Sequence, residues 1–296
     1  MAKATGYHAG ELAAQARLGD TARAEHLGRS IRSTVPSVAA AFLAERQLLV
    51  VGAADETGRI WATVLTGEPG FVSVPDERTI VVAASPRPDD PLAGVLRGSA
   101  PASVGTVALE PATRRRMRVN GLAEAAGPSG LRLRTEQVFS NCPKYIQKRR
   151  PVRHTPTTAP GPARWSSALS AAQQAFVATA DTFFLATADA DGHVDASHRG
   201  GLPGFVELLS PTRLRWADYA GNGAYMTLGN LELNPRAGLV LPDWESGDTL
   251  LLTGEARTNW QERSVEFELT AAVLLPGALP MRWTEPEYSP ANPPLR

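Results

Sequence analysis

The sequence predicts a mainly β protein, built as two barrels in tandem with helices at their periphery. Three observations lead there. The chain repeats itself over a span far longer than a solenoid unit, each copy alternates short apolar runs with Gly-containing turns, and few segments carry a helical period.

The repeat is read first because it sets the architecture. Residues 42–83 fall on residues 176–217 without a gap, matching Phe42 to Phe176, Ala54-Asp55 to Ala188-Asp189 and Gly58 to Gly192. The densest stretch sets Gly67-Glu68-Pro69-Gly70-Phe71-Val72 against Gly201-Leu202-Pro203-Gly204-Phe205-Val206. One residue out of step, Gly105 then meets Gly238 and Gly121 meets Gly254. Such a repeat reads as a duplicated domain.

Within each copy the elements follow in one order. An apolar helix over 38–46, or 171–179, leads into a buried strand, Leu48-Leu49-Val50-Val51 or Phe183-Phe184-Leu185-Ala186. Ser170 and Gln173 have capping-box spacing, which would satisfy free N–H groups of the second helix. Turns at 54–58 and 188–192, each Ala-Asp-x-x-Gly, suit hairpins. Strands are expected at 213–217 and 237–241, and a last pair at 249–255 and 264–269 closes the sheet. Many strands and few helices argue a barrel in each half, not a doubly wound sheet.

The expected boundaries are a helical segment at 1–36, a first barrel at 37–148, a linker at 149–164 and a second barrel at 165–296. The linker is rich in Arg, Pro and Thr, without period. Lys148-Arg149-Arg150 at its edge reads as a solvated charge run. Residues 11–23 should pack on the outside of a barrel.

Composition narrows the class. The 296 residues are 43% hydrophobic and 20% charged, with 30 basic and 30 acidic side chains. No net field favours nucleic acid or a membrane surface. No apolar run reaches the ~20 residues of a membrane span, and the first residues do not read as a secretory signal. A cytoplasmic protein is the expectation. The lone Cys142 excludes an intrachain disulfide and a thiolate zinc cluster.

The chemistry is concentrated in the second copy. Asp195-Ala196-Ser197-His198-Arg199-Gly200-Gly201 stands where the first copy has Trp61-Ala62-Thr63-Val64-Leu65-Thr66-Gly67. An arginine followed by two glycines suits a phosphate-bearing ligand: the guanidinium grips in bidentate fashion and the glycines admit a flat ring. A salt bridge at a strand end is the competing reading. Downstream, Asp218-Tyr219-Ala220-Gly221-Asn222 runs into Tyr225-Met226-Thr227-Leu228-Gly229-Asn230, a Gly turn opening a short helix, where backbone N–H groups can receive an anion. Asn222 equally serves as a helix cap.

These strings carry a resemblance. In order, Asp195-x-Ser197-x-Arg199-Gly200, Pro203-Gly204-Phe205-Val206, Asp218-Tyr219-x-Gly221-Asn222, Leu228-x-Asn230 and Asn234-Pro235-Arg236-x-Gly238-Leu239 resemble the pyridoxamine 5′-phosphate oxidase-related FMN-binding proteins. The first half resembles the partner module of the two-barrel members, through His8-Ala9-Gly10-Glu11-Leu12, the 61–67 and 113–121 stretches and Asn141-Cys142-Pro143-Lys144-Tyr145-Ile146-Gln147. The resemblance implies two split β-barrels packed as an internal pseudo-dimer, with FMN at their interface. Related split barrels bind haem or a deazaflavin, which are the alternatives.

Carried over, Ser197, His198, Arg199 and Gly200 would meet the phosphate and ring edge. Tyr219, Asn222, Tyr225, Thr227 and Leu228 would complete the pocket, and Asn141, Lys144 and Tyr145 would face the ring. Further basic phosphate ligands and the substrate-binding Arg and His of the strict oxidases are not found, which speaks against pyridoxamine phosphate as substrate. The expected activity is an FMN-dependent oxidoreductase acting on a small-molecule substrate or electron donor; a non-catalytic redox or carrier module is the rival. His198 and Tyr219 are the acid–base candidates. A homodimer is among the assemblies the sequence allows.

Other constellations count for less. His193 and Asp195 share a strand face from which His198 points away, so no metal site is expected. Arg114, Arg116 and Arg118 alternate and line one face; holding an anion is one reading, and pairing with surface carboxylates is the expectation. Cys142 beside Lys144 reads as a buried structural thiol. No Walker loop or dinucleotide fingerprint is present.

Overall fold

In the computed structural model, which describes residues 6–127, 129–140, 143–152 and 160–295, two antiparallel sheets share one strand order. The first half supplies β1 (Leu48–Ala54), β2 (Ile60–Thr66), β3 (Val72–Asp76), β4 (Thr79–Val82), β5 (Ala102–Glu110), β6 (Arg115–Ala125) and β7 (Leu131–Ser140). After the short β8 (Pro151–Val152) and β9 (Arg164–Ser166), the second half supplies β10 (Thr182–Ala188), β11 (Val194–Gly200), β12 (Val206–Ser210), β13 (Arg213–Ala217), β14 (Arg236–Pro242), β15 (Thr249–Asn259) and β16 (Ser264–Leu275). The last strand, β17 (Arg282–Trp283), pairs with β8.

The first sheet runs β2-β1-β5-β6-β7-β4-β3 and the second β11-β10-β14-β15-β16-β13-β12. Each strand of one therefore has its counterpart at the same place in the other. The likeness reaches fine detail: β6 and β15 both shift register beside the matched glycines, at Asn120/Gly121 and Thr253/Gly254.

The helices are α1 (Ala9–Leu18), α2 (Thr21–Gly28), α3 (Ser37–Ala44), α4 (Ala93–Leu96), α5 (Ala171–Thr179) and α6 (Met226–Leu233). Helix α5 begins with the predicted capping box, Gln173 N–H donating to Ser170 Oγ and Ser170 N–H to Gln173 Oε1. The N-terminal helical composition becomes two helices, because Gly19 closes α1 in a left-handed conformation (φ 69°).

The halves pack by a pseudo-twofold relation. Strand β2 lies against β14 and β15, as β11 lies against β5 and β6. Two glycines make this approach: a Cβ on Gly105 would stand 2.4 Å from Ala196 N, and one on Gly238 2.5 Å from Trp61 Cα. The core of the first half runs on into Phe184, Ala186, Val194, Ala196 and Val240 of the second, so apolar surface is buried between the halves.

Candidate functional site

The strand β11 and the helix α6 form one wall of a cleft. Its strand face carries Ser197 and Arg199, since alternate residues share a face. Ser197 Oγ lies 3.1 Å from Thr227 Oγ1 on α6 and accepts from Arg199 Nη1 at 3.1 Å. Arg199 also donates to the His198 carbonyl. It is half-buried and has no carboxylate within ion-pair distance among the described residues; burial draws its pKa below the ordinary arginine value.

Tyr225 precedes α6 in the left-handed region (φ 54°) and gives the helix no side-chain cap. The leading amides of the helix have no intrahelical acceptor. Asn222 Oδ1 accepts from Ala224 N–H at 3.1 Å, while its Nδ2 is buried with no hydrogen-bond partner among the described residues.

His198 faces the first half. Its Nδ1 lies 3.0 Å from Arg116 Nη1 on β6. A guanidinium only donates, so Nδ1 accepts and the ring proton sits on Nε2, which is buried with no partner among the described residues. Burial, with Arg116 and Arg199 nearby, holds the histidine pKa well below its ordinary value. The ring is neutral at physiological pH, a hydrogen-bond donor and not a cation. Arg118 forms a buried ion pair with Asp195, which also accepts from Asn120 at 3.0 Å.

From the first half come also Lys144 and Tyr145. Tyr145 (φ 65°) packs its ring 5.1 Å from that of Tyr219 and donates to the Ala220 carbonyl at 3.0 Å. Together these groups enclose about 860 Å³ of space, open solvent included, bordered further by Phe205, Trp216, Asp218 and Met226.

The counterpart place in the first half is filled differently. Thr63, which matches Ser197, donates to Asp90 Oδ2 at 2.5 Å, and Asp90 Oδ1 accepts from Leu92 N–H at 2.8 Å just before α4. Asp90 is buried, and desolvation raises its pKa to about 6. Asp90 and Asn222 make the same side-chain turn two residues ahead. One offers a carboxylate oxygen where the other offers an unpaired amide N–H.

The sequence-predicted residues Ser197, His198, Arg199, Gly200, Tyr219, Asn222, Tyr225, Thr227, Leu228, Lys144 and Tyr145 all line this one cleft. Asn141 and Cys142 lie outside the described residues. At Gly200 the close neighbour is protein: a Cβ would stand 2.0 Å from the Tyr145 carbonyl oxygen.

Two expectations need correction. Arg116 and Arg118 do not serve surface carboxylates but reach His198 and the buried Asp195 at the cleft, whereas Arg114, which precedes the strand, pairs with the exposed Glu287 as expected and also donates to the Ile146 carbonyl. Arg149 is not solvated: it is buried and pairs with Asp181 at 2.6 Å. Strict alternation was the available signal for Arg116 and Arg118, but their partners come from the other half, which no local pattern reveals.

The match to a known family falls on the half that carries β11 and α6. The family model described as pyridoxamine 5′-phosphate oxidase matches residues 169–274. No curated protein matches the chain. Among solved structures, the chain is similar to a point variant of HupZ of Group A Streptococcus, at 14% identity and a TM-score of 0.29, over 36% of this chain and 99% of that one. It is also similar to an F420 reductase, at 13% identity and a TM-score of 0.24, over 36% and 93%. These likenesses are too slight to bear on fold or activity. The residues matched by the family model carry α5, α6 and β10 to β15, the strand and helix that wall the cleft among them.

Proposed function

We propose that the cleft binds one phosphate-bearing flavin per chain, FMN foremost with a deazaflavin as the alternative, and that the protein is a flavin-dependent oxidoreductase. The observation that carries this reading is the donor set at one corner: Arg199 without a carboxylate partner among the described residues, the unpaired Asn222 Nδ2, the Ser197–Thr227 hydroxyl pair and the uncapped start of α6. Acceptor-rich anions fit such a corner, because each phosphate oxygen takes several hydrogen bonds and charge-assisted ones are the strongest.

The rest of the cleft suits a ring system. Tyr145 and Tyr219 form an aromatic wall at the mouth, and His198 offers a neutral N–H to a ring carbonyl or nitrogen. When bound, the flavin supplies hydride or electron transfer, and the protein orients it and tunes it electrostatically. Arg116 fixes the His198 proton on Nε2, and Lys144 stands at the rim to meet an anionic substrate or electron donor. The first half lacks the donor set, since Asp90 fills its corner with a negative charge.

The test is the visible spectrum of purified protein, followed by titration with FMN and with riboflavin. Flavin bands, with FMN bound more tightly than riboflavin, support the reading. A Soret band would point to haem, and indifference to both flavins would end the proposal.

A further inference from the structure

The N-terminal helices reach across the chain to the loop that lines the cleft. Helix α1 crosses α6 at Gly10 and Gly229: a Cβ on Gly10 would stand 2.1 Å from the Gly229 carbonyl oxygen. Beside the crossing, His8 Nε2 lies 2.8 Å from Asn230 Oδ1, and Asn230 donates in turn to Thr187 on β10. Further along, the buried Gln15 donates to the Ala224 carbonyl at 3.1 Å, and Arg23 Nη2 donates to the Gly221 carbonyl at 2.7 Å. The Tyr225 hydroxyl donates to Asp20.

The two carbonyls matter most. In a trans peptide the C=O and the following N–H point in opposite directions, and no described peptide bond is cis. With the Gly221 and Ala224 carbonyls turned toward Arg23 and Gln15, the N–H groups of Asn222 and Tyr225 point away from the N-terminal helices. Those helices contribute nothing to the cleft lining, whereas residues 221–228 line it throughout. A carbonyl oxygen facing an anion repels it, and an amide attracts it.

We propose that the N-terminal helical segment is a strap that sets the polarity of the anion loop, with Gln15 and Arg23 as its positioning residues. The segment holds the carbonyls on its own side and leaves amides for the ligand's anionic group. It touches no ligand itself. This rests on the reading of the cleft as a phosphate site.

The experiment is done on the full chain, with Arg23→Ala as the first variant because its side chain is exposed. Losing one such hold on the loop should weaken FMN and inorganic phosphate about tenfold, while riboflavin, lacking the phosphate, changes less than about twofold. Arg23→Lys, which keeps a donor, should restore most of the loss, and Gln15→Ala should repeat the selective pattern. Equal weakening of FMN and riboflavin, or no change in either, overturns the strap. A wild-type protein that binds neither FMN nor phosphate overturns the underlying reading of the cleft instead.

Discussion

At the cleft, Arg199 hydrogen-bonds among the described residues only within its own strand, to Ser197 Oγ and the His198 carbonyl. Arg199→Ala should therefore leave the fold intact and remove a charge-assisted contact to the ligand. Such contacts contribute about 1.5–3 kcal/mol, so FMN affinity should fall roughly ten- to hundredfold and riboflavin affinity much less; fluorescence titration reads both. Asp90 gives a pH signature. Its folded-state pKa of about 6 lies above the ordinary value of 3.8, so the folded protein holds the extra proton between the two. That contribution is complete below pH ~4 and is lost as pH rises through ~6. Asp90→Asn, which keeps both hydrogen-bonding positions, should be more stable than wild type above pH ~6, by up to about 3 kcal/mol, and level with it near pH ~4. Urea unfolding at the two pH values measures the difference.

Among the elements, β5 and β14 depend on a bare Cα where each meets the other half. Gly105→Ala and Gly238→Ala would each drive a methyl into backbone at 2.4–2.5 Å. Overpacking of this kind costs about 1–3 kcal/mol, occasionally more, and the pseudo-twofold relation makes the two costs alike. Their effects on ligand binding should differ. Gly105 presses on Asp195 and Ala196, next to the cleft residues of β11, whereas Gly238 presses on Ile60 and Trp61 of β2. Denaturation and FMN titration of the pair check both halves of the expectation; equal loss of FMN affinity would contradict it.

The elements also show what was legible beforehand. The hairpins, the strand at Arg213–Ala217 and the capping box at Ser170 are local features with local signals. The cleft residues on β11 were legible too, because His198 and Arg199 stand where the sister copy has Val64 and Leu65. The Arg118–Asp195 pair, the Arg116–His198 contact and the hold of Gln15 on Ala224 were not. Each joins residues far apart in sequence, and nothing in spacing or periodicity reports a contact made by packing one half on the other.

On the scale of the whole chain, the same strand order appears twice while the two corners are chemically opposed. One half closes its corner with the Asp90 carboxylate; the other presents donors. The most direct measurement of that asymmetry is the stoichiometry of FMN binding to the apoprotein by isothermal titration. One FMN per chain is the expected result, with binding weakened in Arg199→Ala and kept in Asp90→Asn. Two equivalent sites per chain, or binding indifferent to Arg199, would contradict the account.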